Sequence, residues 1–201
     1  MGFIAKTTGA YLRTSVEALQ NARAICDVLM PRGWTLEAIS GLLGNVESES
    51  GYNPWRWQSD IVLPYGDSRI TYQNAHAYGL CQWDPAGKYI LNGGSLYAGY
   101  GPNYSDQDGL VTDGAAQMAF LDENADYIVT SSYPLTYAQY KAATISNYTI
   151  DYLTRTWFYN FERGTWDNNR VTAATYWYQT LSGYQPHGVI PIWLLFKFKG
   201  R

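Results

Sequence analysis

Residues 35–58 read TLEAISGLLGNVESESGYNPWRWQ, a helical pattern followed by an abrupt stop. Apolar residues recur at steps of three and four, which predicts an amphipathic helix with one buried stripe formed by Leu36, Ile39, Leu42, Leu43 and Val46. Thr35 is suited to cap the N-terminus of this helix. Gly51 can adopt the left-handed conformation that ends a helix, and the proline three residues later prevents its continuation. The helix therefore ends close to two glutamates, Glu47 and Glu49.

The two glutamates lie two positions apart, so they project from nearly opposite sides of the helix and cannot act on one substrate atom. Each is at an edge of the apolar stripe, Glu49 on the Leu42 side and Glu47 on the Leu43 side. A carboxyl group beside the following Tyr- and Trp-rich loop would be partly desolvated, which raises its pKa and suits a general acid. The alternative is that both are solvated flank residues. Periodicity does not choose between Glu47 and Glu49.

A second motif, residues 78–88, reads YGLCQWDPAGK. A helix ending in LGNxxxESGxNP, then WQ, then GLxQW with a following Pro and Lys, resembles the phage tail lysozyme family. The relatives of that family include goose-type lysozymes and lytic transglycosylases, which share a Glu-Ser pair at a helix end followed by a Gly-Leu-x-Gln element. The resemblance extends from about residue 15 to about residue 181, and the two motifs carry its specificity.

The resemblance implies a lysozyme-like fold, mainly α (α+β), with a small β-hairpin or loop region that walls a glycan cleft. It implies cleavage of the β-1,4 bond between N-acetylmuramic acid and N-acetylglucosamine in peptidoglycan, without a cofactor. Glu49, which precedes Ser-Gly-x-Asn-Pro, would be the catalytic acid, and Glu47 would have no catalytic role. The residues expected to contact the glycan are Gln82, Tyr78, Trp83 and Trp57.

The sequence leaves open whether a second carboxylate takes part in catalysis. Residues 53–77 combine turn residues with short β-favouring segments, which predicts a loop or small hairpin. Asp60 and Asp67 lie within it, and either is a candidate to position water opposite the acid or is simply a turn aspartate. Residues 92–113 predict an irregular Tyr-rich loop, beside the cleft or as a solvated connector.

The helical period predicts a first helix at residues 16–30 with Ser15 as its cap. Asp113 and Asp167 are predicted caps of later helices. We expect Glu162 and Arg170 to form a structural ion pair or cap. The later helical segments span residues 114–127, 136–143, 150–161 and 168–181.

Composition favours one domain over residues 1–201, since 201 residues with 46% hydrophobic content can bury one sizeable core. Residues 189–201 form a short apolar and basic C-terminal tail, too short to span a bilayer. The net charge of −3 and the lack of a Lys/Arg cluster argue against nucleic-acid binding. The two cysteines, Cys26 and Cys81, are interpreted as buried free thiols, and His76 and His187 do not form a zinc motif.

The N-terminus has no uninterrupted apolar segment, so no signal peptide is predicted, and no apolar run reaches membrane-spanning length. The resemblance implies a component of the phage virion, made in the host cytoplasm, that opens the cell wall during genome delivery. Its partners would be peptidoglycan and other phage tail proteins. A lytic transglycosylase, a free endolysin and a non-catalytic glycan-binding structural tail protein are the alternatives.

Overall fold

The computed structural model describes residues 2–6, 10–13, 15–58, 76–90, 109–111 and 113–187. The fold is mainly α, as predicted. In chain order its elements are β1 (Phe3–Ala5), α1 (Val16–Leu29), a 3-10 turn (Met30–Arg32), α2 (Leu36–Ser50), α3 (Gly87–Ile90), β2 (Gly109–Val111), α4 (Asp113–Asn124), α5 (Tyr137–Lys141), α6 (Ile150–Trp157), a π-helical turn (Phe158–Glu162) and α7 (Asn169–Thr180).

Helix α2 has the predicted ends. The Thr35 side chain accepts a hydrogen bond from the backbone N–H of Ala38, and Gly51 has a left-handed conformation with φ +55°. The prediction of a single buried stripe is wrong, however. Nine consecutive residues of α2, 38–46, are buried, because α6 and α7 pack against it and α1 and α5 also contact it. Helix α2 is therefore the centre of the core rather than a helix on its surface.

Close helix packing explains why two glycines lie within α2. A β-carbon added at Gly44 would lie 2.2 Å from the backbone oxygen of Arg170 on α7. One added at Gly41 would lie 2.7 Å from the hydroxyl oxygen of Tyr140 and 3.1 Å from a backbone carbon of Leu153. The two glycines thus allow the backbones of α6 and α7 to approach α2.

Helix α1 begins after Ser15, whose side chain accepts from the backbone N–H of Ala18, so its predicted cap is confirmed. The predicted cap at Asp113 is wrong, because Asp113 is the first residue of α4. The predicted cap at Asp167 is also wrong by one residue, because Asn168 is the N-cap of α7, although the Asp167 side chain accepts a hydrogen bond from the backbone N–H of Asn169 at 3.0 Å. Strands β1 and β2 pair antiparallel, and Cys26 and Cys81 are free and buried as predicted.

Several predictions concern residues outside the described part of the chain. These are the roles of Asp60 and Asp67, residues 92–108 of the predicted loop at residues 92–113, and the tail at residues 189–201. The C-terminal part of that predicted loop is not irregular, since Gly109–Val111 forms strand β2. The division into one domain also stays a prediction. Among the helices of the described residues, none combines the length and apolar character that crossing a membrane requires.

Candidate active site

A cleft of about 650 Å³ opens beside the second sequence motif. Its walls come from three parts of the chain: the loop at residues 81–88, the end of α4 with the segment after it, and the turn that follows α6. The described residues that line this cleft include Gln82, Trp83, Lys88, Phe120, Asn124, Phe161, Glu162 and Arg163.

Residues 78–86 of the second sequence motif precede α3 and are called the motif loop below. This loop folds back on itself, because Tyr78 pairs with both Trp57 and Trp83 in antiparallel bridges. Gln82 adopts a positive φ of +44° within this loop. Its side-chain amide donates to the backbone oxygens of Arg56 at 3.0 Å and Gly79 at 2.9 Å. Gln82 thus lines the cleft as expected, while its amide nitrogen holds the loop together. Its contact with a glycan stays a prediction.

The aromatic residues of the predicted glycan surface divide into two groups. Trp83 lines the cleft, although it is only 7% exposed, and its ring stacks on that of Tyr89 with centroids 4.9 Å apart. Tyr78 is fully buried and its hydroxyl donates to Asp113 at 2.9 Å. Trp57 is 4% exposed and packs against Tyr78. Tyr78 and Trp57 thus lie behind the cleft wall in this structure, and direct contact of either residue with a glycan stays a prediction.

Gln117 on α4 anchors this region, a role that the sequence did not indicate. Its side-chain oxygen accepts from the backbone N–H of Leu80 at 2.7 Å, and its amide donates to the backbone oxygen of Pro54 at 2.8 Å. The same amide reaches the carboxylate of Asp113 at 3.1 Å, which also accepts from the Tyr78 hydroxyl. One buried amide therefore joins both motif segments to α4.

Glu49 lies at the last turn of α2 and forms an ion pair with Arg170 of α7. The distance from Arg170 Nη2 to Glu49 Oε1 is 2.7 Å, and the Glu49 side chain remains 22% exposed. Arg170 is buried, and its Nη1 donates to the side-chain oxygen of Asn45 at 3.1 Å. The expected pairing of Arg170 with Glu162 is thus replaced by a pairing with Glu49.

Glu162 closes the π-helical turn and lines the cleft. Its Oε1 accepts from the indole N–H of Trp157 at 3.2 Å. Removal from water, followed by the negative charge of Glu49, raises the pKa of Glu162 well above its ordinary value, although Arg170, Trp157 and Arg163 act in the opposite direction. Burial raises the pKa of Cys81, another residue of the cleft, and the negative charges of Glu162 and Glu49 raise it further. The charge of Glu49 therefore acts on two residues of the cleft wall.

Glu47 projects to a different part of the surface, as the helical wheel predicted. It accepts from the Tyr52 hydroxyl at 2.8 Å and lines a separate groove of about 390 Å³ with Arg13 and Tyr176. Within the described residues, no group of three or more His, Cys, Asp or Glu side chains has an arrangement that could hold a metal ion. Of the two glutamates of the first motif, Glu47 lines this second groove and Glu49 pairs with Arg170.

A mainly α fold that combines a glutamate at a helix end with a Gly-Leu-x-Gln loop beside a cleft is typical of a lysozyme-like protein. Residues 20–181 match the phage tail lysozyme family, and the chain belongs to that family. Over 187 residues it is 33% identical to Morphogenesis protein 1 of Bacillus phage B103, a match that covers 90% of this chain and 44% of that protein. The chain thus spans less than half the length of this relative. The resemblance seen in the two motifs is confirmed.

Proposed function

We propose that the protein is a peptidoglycan-cleaving glycosidase, a muramidase, with Glu49 as its general acid. The observation that carries the proposal is the ion pair of Glu49, which lies at the end of α2 and is held by Arg170. The charge of Glu49 also acts on Glu162 and Cys81, two residues that line the cleft together with Gln82 and Trp83. Membership of the phage tail lysozyme family supports the substrate class. The fold thus presents one oriented carboxyl group at the edge of a cleft that a glycan strand can enter.

In this proposal the protonated form of the Glu49 carboxyl group donates its proton to the oxygen of the β-1,4 bond, and the bond between that oxygen and C1 of N-acetylmuramic acid breaks. The carboxylate that this step leaves is the form that pairs with Arg170. The positive charge that develops at C1 is relieved when water adds there, and the proton lost by the water passes to solvent or back to the carboxylate. Attack by the 6-hydroxyl group of the same sugar would instead form a 1,6-anhydro ring. The first route is hydrolysis and the second is lytic transglycosylation.

Arg170 would orient the carboxyl group of Glu49 in this scheme. Its Nη2 holds Oε1 of Glu49, and among the described residues none donates a hydrogen bond to Oε2. One carboxylate oxygen is therefore fixed while the other is available to a substrate. Proper orientation of a reacting group is worth several orders of magnitude in rate, so a fixed carboxyl group is what the chemistry requires.

The test is digestion of purified peptidoglycan by wild type and by Glu49→Gln, with the products weighed by mass spectrometry. We expect new fragments from wild type and a loss of cleavage of at least about 100-fold in Glu49→Gln, since the amide cannot donate the proton. Glu47→Gln is the matched control, because Glu47 lies on the same helix and faces the other groove. Normal cleavage by Glu49→Gln would overturn the assignment, and hydrated or 1,6-anhydro ends distinguish the two routes.

We place the activity in the phage particle, where it would open the host wall during genome delivery in contact with other tail proteins. The family and the morphogenesis name of the B103 relative support this location over a free endolysin. Mass spectrometry of purified virions tests it: the chain should be recovered from particles, and its presence only in the lysate would favour an endolysin.

The name of that relative also supports a second candidate, a structural tail protein that binds glycan without cleaving it. The same digestion separates the two. Sedimentation of wild type with insoluble peptidoglycan, without release of fragments, would favour the structural protein.

A further inference from the structure

The second groove, of about 390 Å³, has no part in the proposed function. Its walls come from the last turn of α2, from α7 and from the segment before α1. Its side chains combine an aromatic ring, hydroxyl groups, an amide and a guanidinium group. The described residues that supply them include Arg13, Ser48, Asn169, Thr172, Ala173 and Tyr176. Among the described residues, none lines both this groove and the cleft, so the two are separate sites.

Tyr176 is the aromatic residue of this groove, which is called the Tyr176 groove below. It is 48% exposed, and its ring meets that of the buried Trp177 at 73°, with centroids 5.0 Å apart. Ala173, about one turn earlier in α7, lines the groove with a small methyl group. An exposed ring that the core holds in place suits the C–H groups of a sugar, which pack against the electron-rich face of an aromatic ring.

The helical hydroxyl groups of the groove differ from those elsewhere in the bundle. Several hydroxyl groups of α2, α6 and α7 donate to the carbonyl oxygen four residues earlier, namely those of Ser40, Ser50, Thr154, Thr156 and Thr175. The hydroxyl groups of Ser48 and Thr172 line the groove, and neither makes a hydrogen bond to another described residue. Since a hydroxyl group both donates and accepts, both are available to a ligand.

Two further groups of the groove are held in place by the protein. The Asp167 carboxylate accepts from the backbone N–H of Asn169 at 3.0 Å and from its side-chain amide at 3.1 Å. This leaves the amide oxygen of Asn169 as an acceptor. The guanidinium group of Arg13 lies 4.2 Å from the centroid of the Tyr11 ring. Groups that are already fixed lose little conformational freedom when a ligand binds.

The charges of the groove favour a neutral ligand. Arg13 is positive, whereas Glu47 and Asp167 are negative, and both carboxylates have partners within the protein. Glu47 accepts from the Tyr52 hydroxyl at 2.8 Å, so we assign it, like Asp167, to the frame of the groove. The groups left for a ligand are then mainly neutral donors and acceptors beside one aromatic ring. This combination suits a sugar that carries hydroxyl and acetamido groups.

We propose that the Tyr176 groove is a second glycan-binding site, which takes a short N-acetylhexosamine segment. Tyr176 packs against a sugar ring, and Ser48, Asn169 and Thr172 bond to its hydroxyl and acetamido groups. The assignment to a sugar comes from the groove itself, whereas its place in peptidoglycan rests on the proposed function. A strand held here keeps the protein on the wall while the cleft acts on another part of the polymer.

The first test is an NMR titration of the full chain with N,N′,N″-triacetylchitotriose, a soluble trimer of N-acetylglucosamine. The chain carries 13C-labelled Thr methyl groups and 15N-labelled Trp, and Thr172→Ser, which keeps the hydroxyl group, identifies the Thr172 signal by its loss. We expect that signal to shift to saturation, with a Kd about 3- to 10-fold weaker in Tyr176→Ala. Tyr159→Ala is the matched control, because Tyr159 is 37% exposed and lies outside the groove.

Three results would overturn the proposal. A Thr172 signal that stays in place while the Trp83 indole signal shifts would mean that the sugar binds only in the cleft. Equal Kd values for wild type and Tyr176→Ala would mean that the ring makes no contact. A Thr172 signal that responds to a lysine-containing peptide and not to the trisaccharide would make the groove a peptide site. If wild type does not cleave peptidoglycan, the proposed function fails, and this titration still decides the groove.

The second test measures what the groove adds on the wall polymer. Glu49→Gln and the double variant Glu49→Gln/Tyr176→Ala are sedimented with insoluble peptidoglycan, which neither chain degrades under the proposed function. We expect the apparent affinity of the double variant to be about threefold weaker or more, since one of its two glycan contacts is impaired. Equal sedimentation of the two chains would overturn the part of the groove in holding the protein on the wall.

Discussion

Glu49 and Arg170 are 121 residues apart in the chain and 2.7 Å apart in space. Helix α2 carries the acid to the edge of the cleft, and α7 supplies the cation that orients it. Glu162, at the end of the π-helical turn, lines the cleft, and the charges of Glu49 and Arg170 act on it. At the scale of single residues, the candidate site is thus a small set of charges whose protonation states depend on one another.

The raised pKa of Glu162 leads to a prediction about stability and pH. Its pKa in the folded chain exceeds the ordinary value of 4.5, which applies to the unfolded chain. As pH rises above 4.5, the unfolded chain loses this proton first, so the free energy of unfolding falls until the pH passes the folded pKa. Glu162→Gln lacks this contribution.

Urea unfolding of wild type and Glu162→Gln between pH 4 and pH 8 would measure the effect. We expect the stability of wild type relative to the variant to be highest near pH 4 and to decline as the pH increases. The buried thiols and phenols do not interfere, because their pKa values are raised from values already above this range. Parallel stability curves for the two proteins would contradict the assignment of a raised pKa to Glu162.

At the scale of elements, α2 is a core helix whose end reaches the surface. Its buried polar groups have partners within the helix bundle: the Asn45 amide donates to the backbone oxygens of Gly41 and Thr154, and Ser40 donates to the backbone oxygen of Leu36. Buried polar groups with satisfied hydrogen bonds fix how neighbouring helices pack. Asn45 in addition holds Arg170, so the same packing that forms the core also positions the candidate site.

Gly44→Ala tests the contact between α2 and α7. The added methyl group would lie 2.2 Å from the backbone oxygen of Arg170 and 2.8 Å from the β-carbon of Ala174, so the helices must move apart. We expect the free energy of unfolding in urea to fall by about 1–3 kcal/mol or more, and turnover to fall with it because Arg170 shifts. Gly164→Ala is the control, since nothing lies within 4 Å of its added β-carbon. Equal stability of the two variants would mean that α2 and α7 pack less closely than described.

The π-helical turn after α6 is the element that places Glu162. The sequence predicted one helix through residue 161, but the chain changes to a π-helical turn at Phe158–Glu162 and then to a left-handed Arg163 at φ +57°. Such turns are rare and often occur at functional sites. Phe161, Glu162 and Arg163 all line the cleft, so this local change of helix type forms one of its walls.

At the scale of the whole molecule, the cleft depends on connections between distant segments. Gln117 of α4 joins the backbone of Pro54, just after α2, to that of Leu80 in the motif loop. The Asp113 carboxylate adds hydrogen bonds from Tyr78 and Tyr89. The loop that presents Gln82 is therefore held from behind by α4 rather than by its own sequence alone.

Gln117→Ala should weaken this connection. It leaves the N–H of Leu80 and the carbonyl of Pro54 buried without the partner they have in wild type, which costs about 1–3 kcal/mol for each group. We expect a lower thermal unfolding temperature and, because the motif loop loses its support, slower cleavage of peptidoglycan. Gln179→Ala on α7 is the control, since that side chain is exposed. Unchanged stability of Gln117→Ala would show that the motif loop is held by other contacts.

The sequence by itself determined the parts of the protein that depend on local forces. The caps at Ser15 and Thr35 and the start of the helical segment at residues 136–143 follow from side chains that bond to a backbone three residues away. The C-terminal end of α2 follows from the left-handed conformation of Gly51, and the segment at residues 168–181 follows from its helical period. The two motifs identified the family for the same reason, since each is short and contiguous.

Only the tertiary structure decided which side chains meet. Tyr78 and Trp57, which the resemblance suggested as glycan contacts, are buried in the folded chain. Arg170 forms its ion pair with Glu49 rather than with Glu162. These outcomes depend on how α2, α6 and α7 pack, and that packing is set by the volumes and hydrogen bonds of residues far apart in the chain. Residue spacing along one helix shows which side a glutamate faces, but it contains no information about which cation arrives there from another helix.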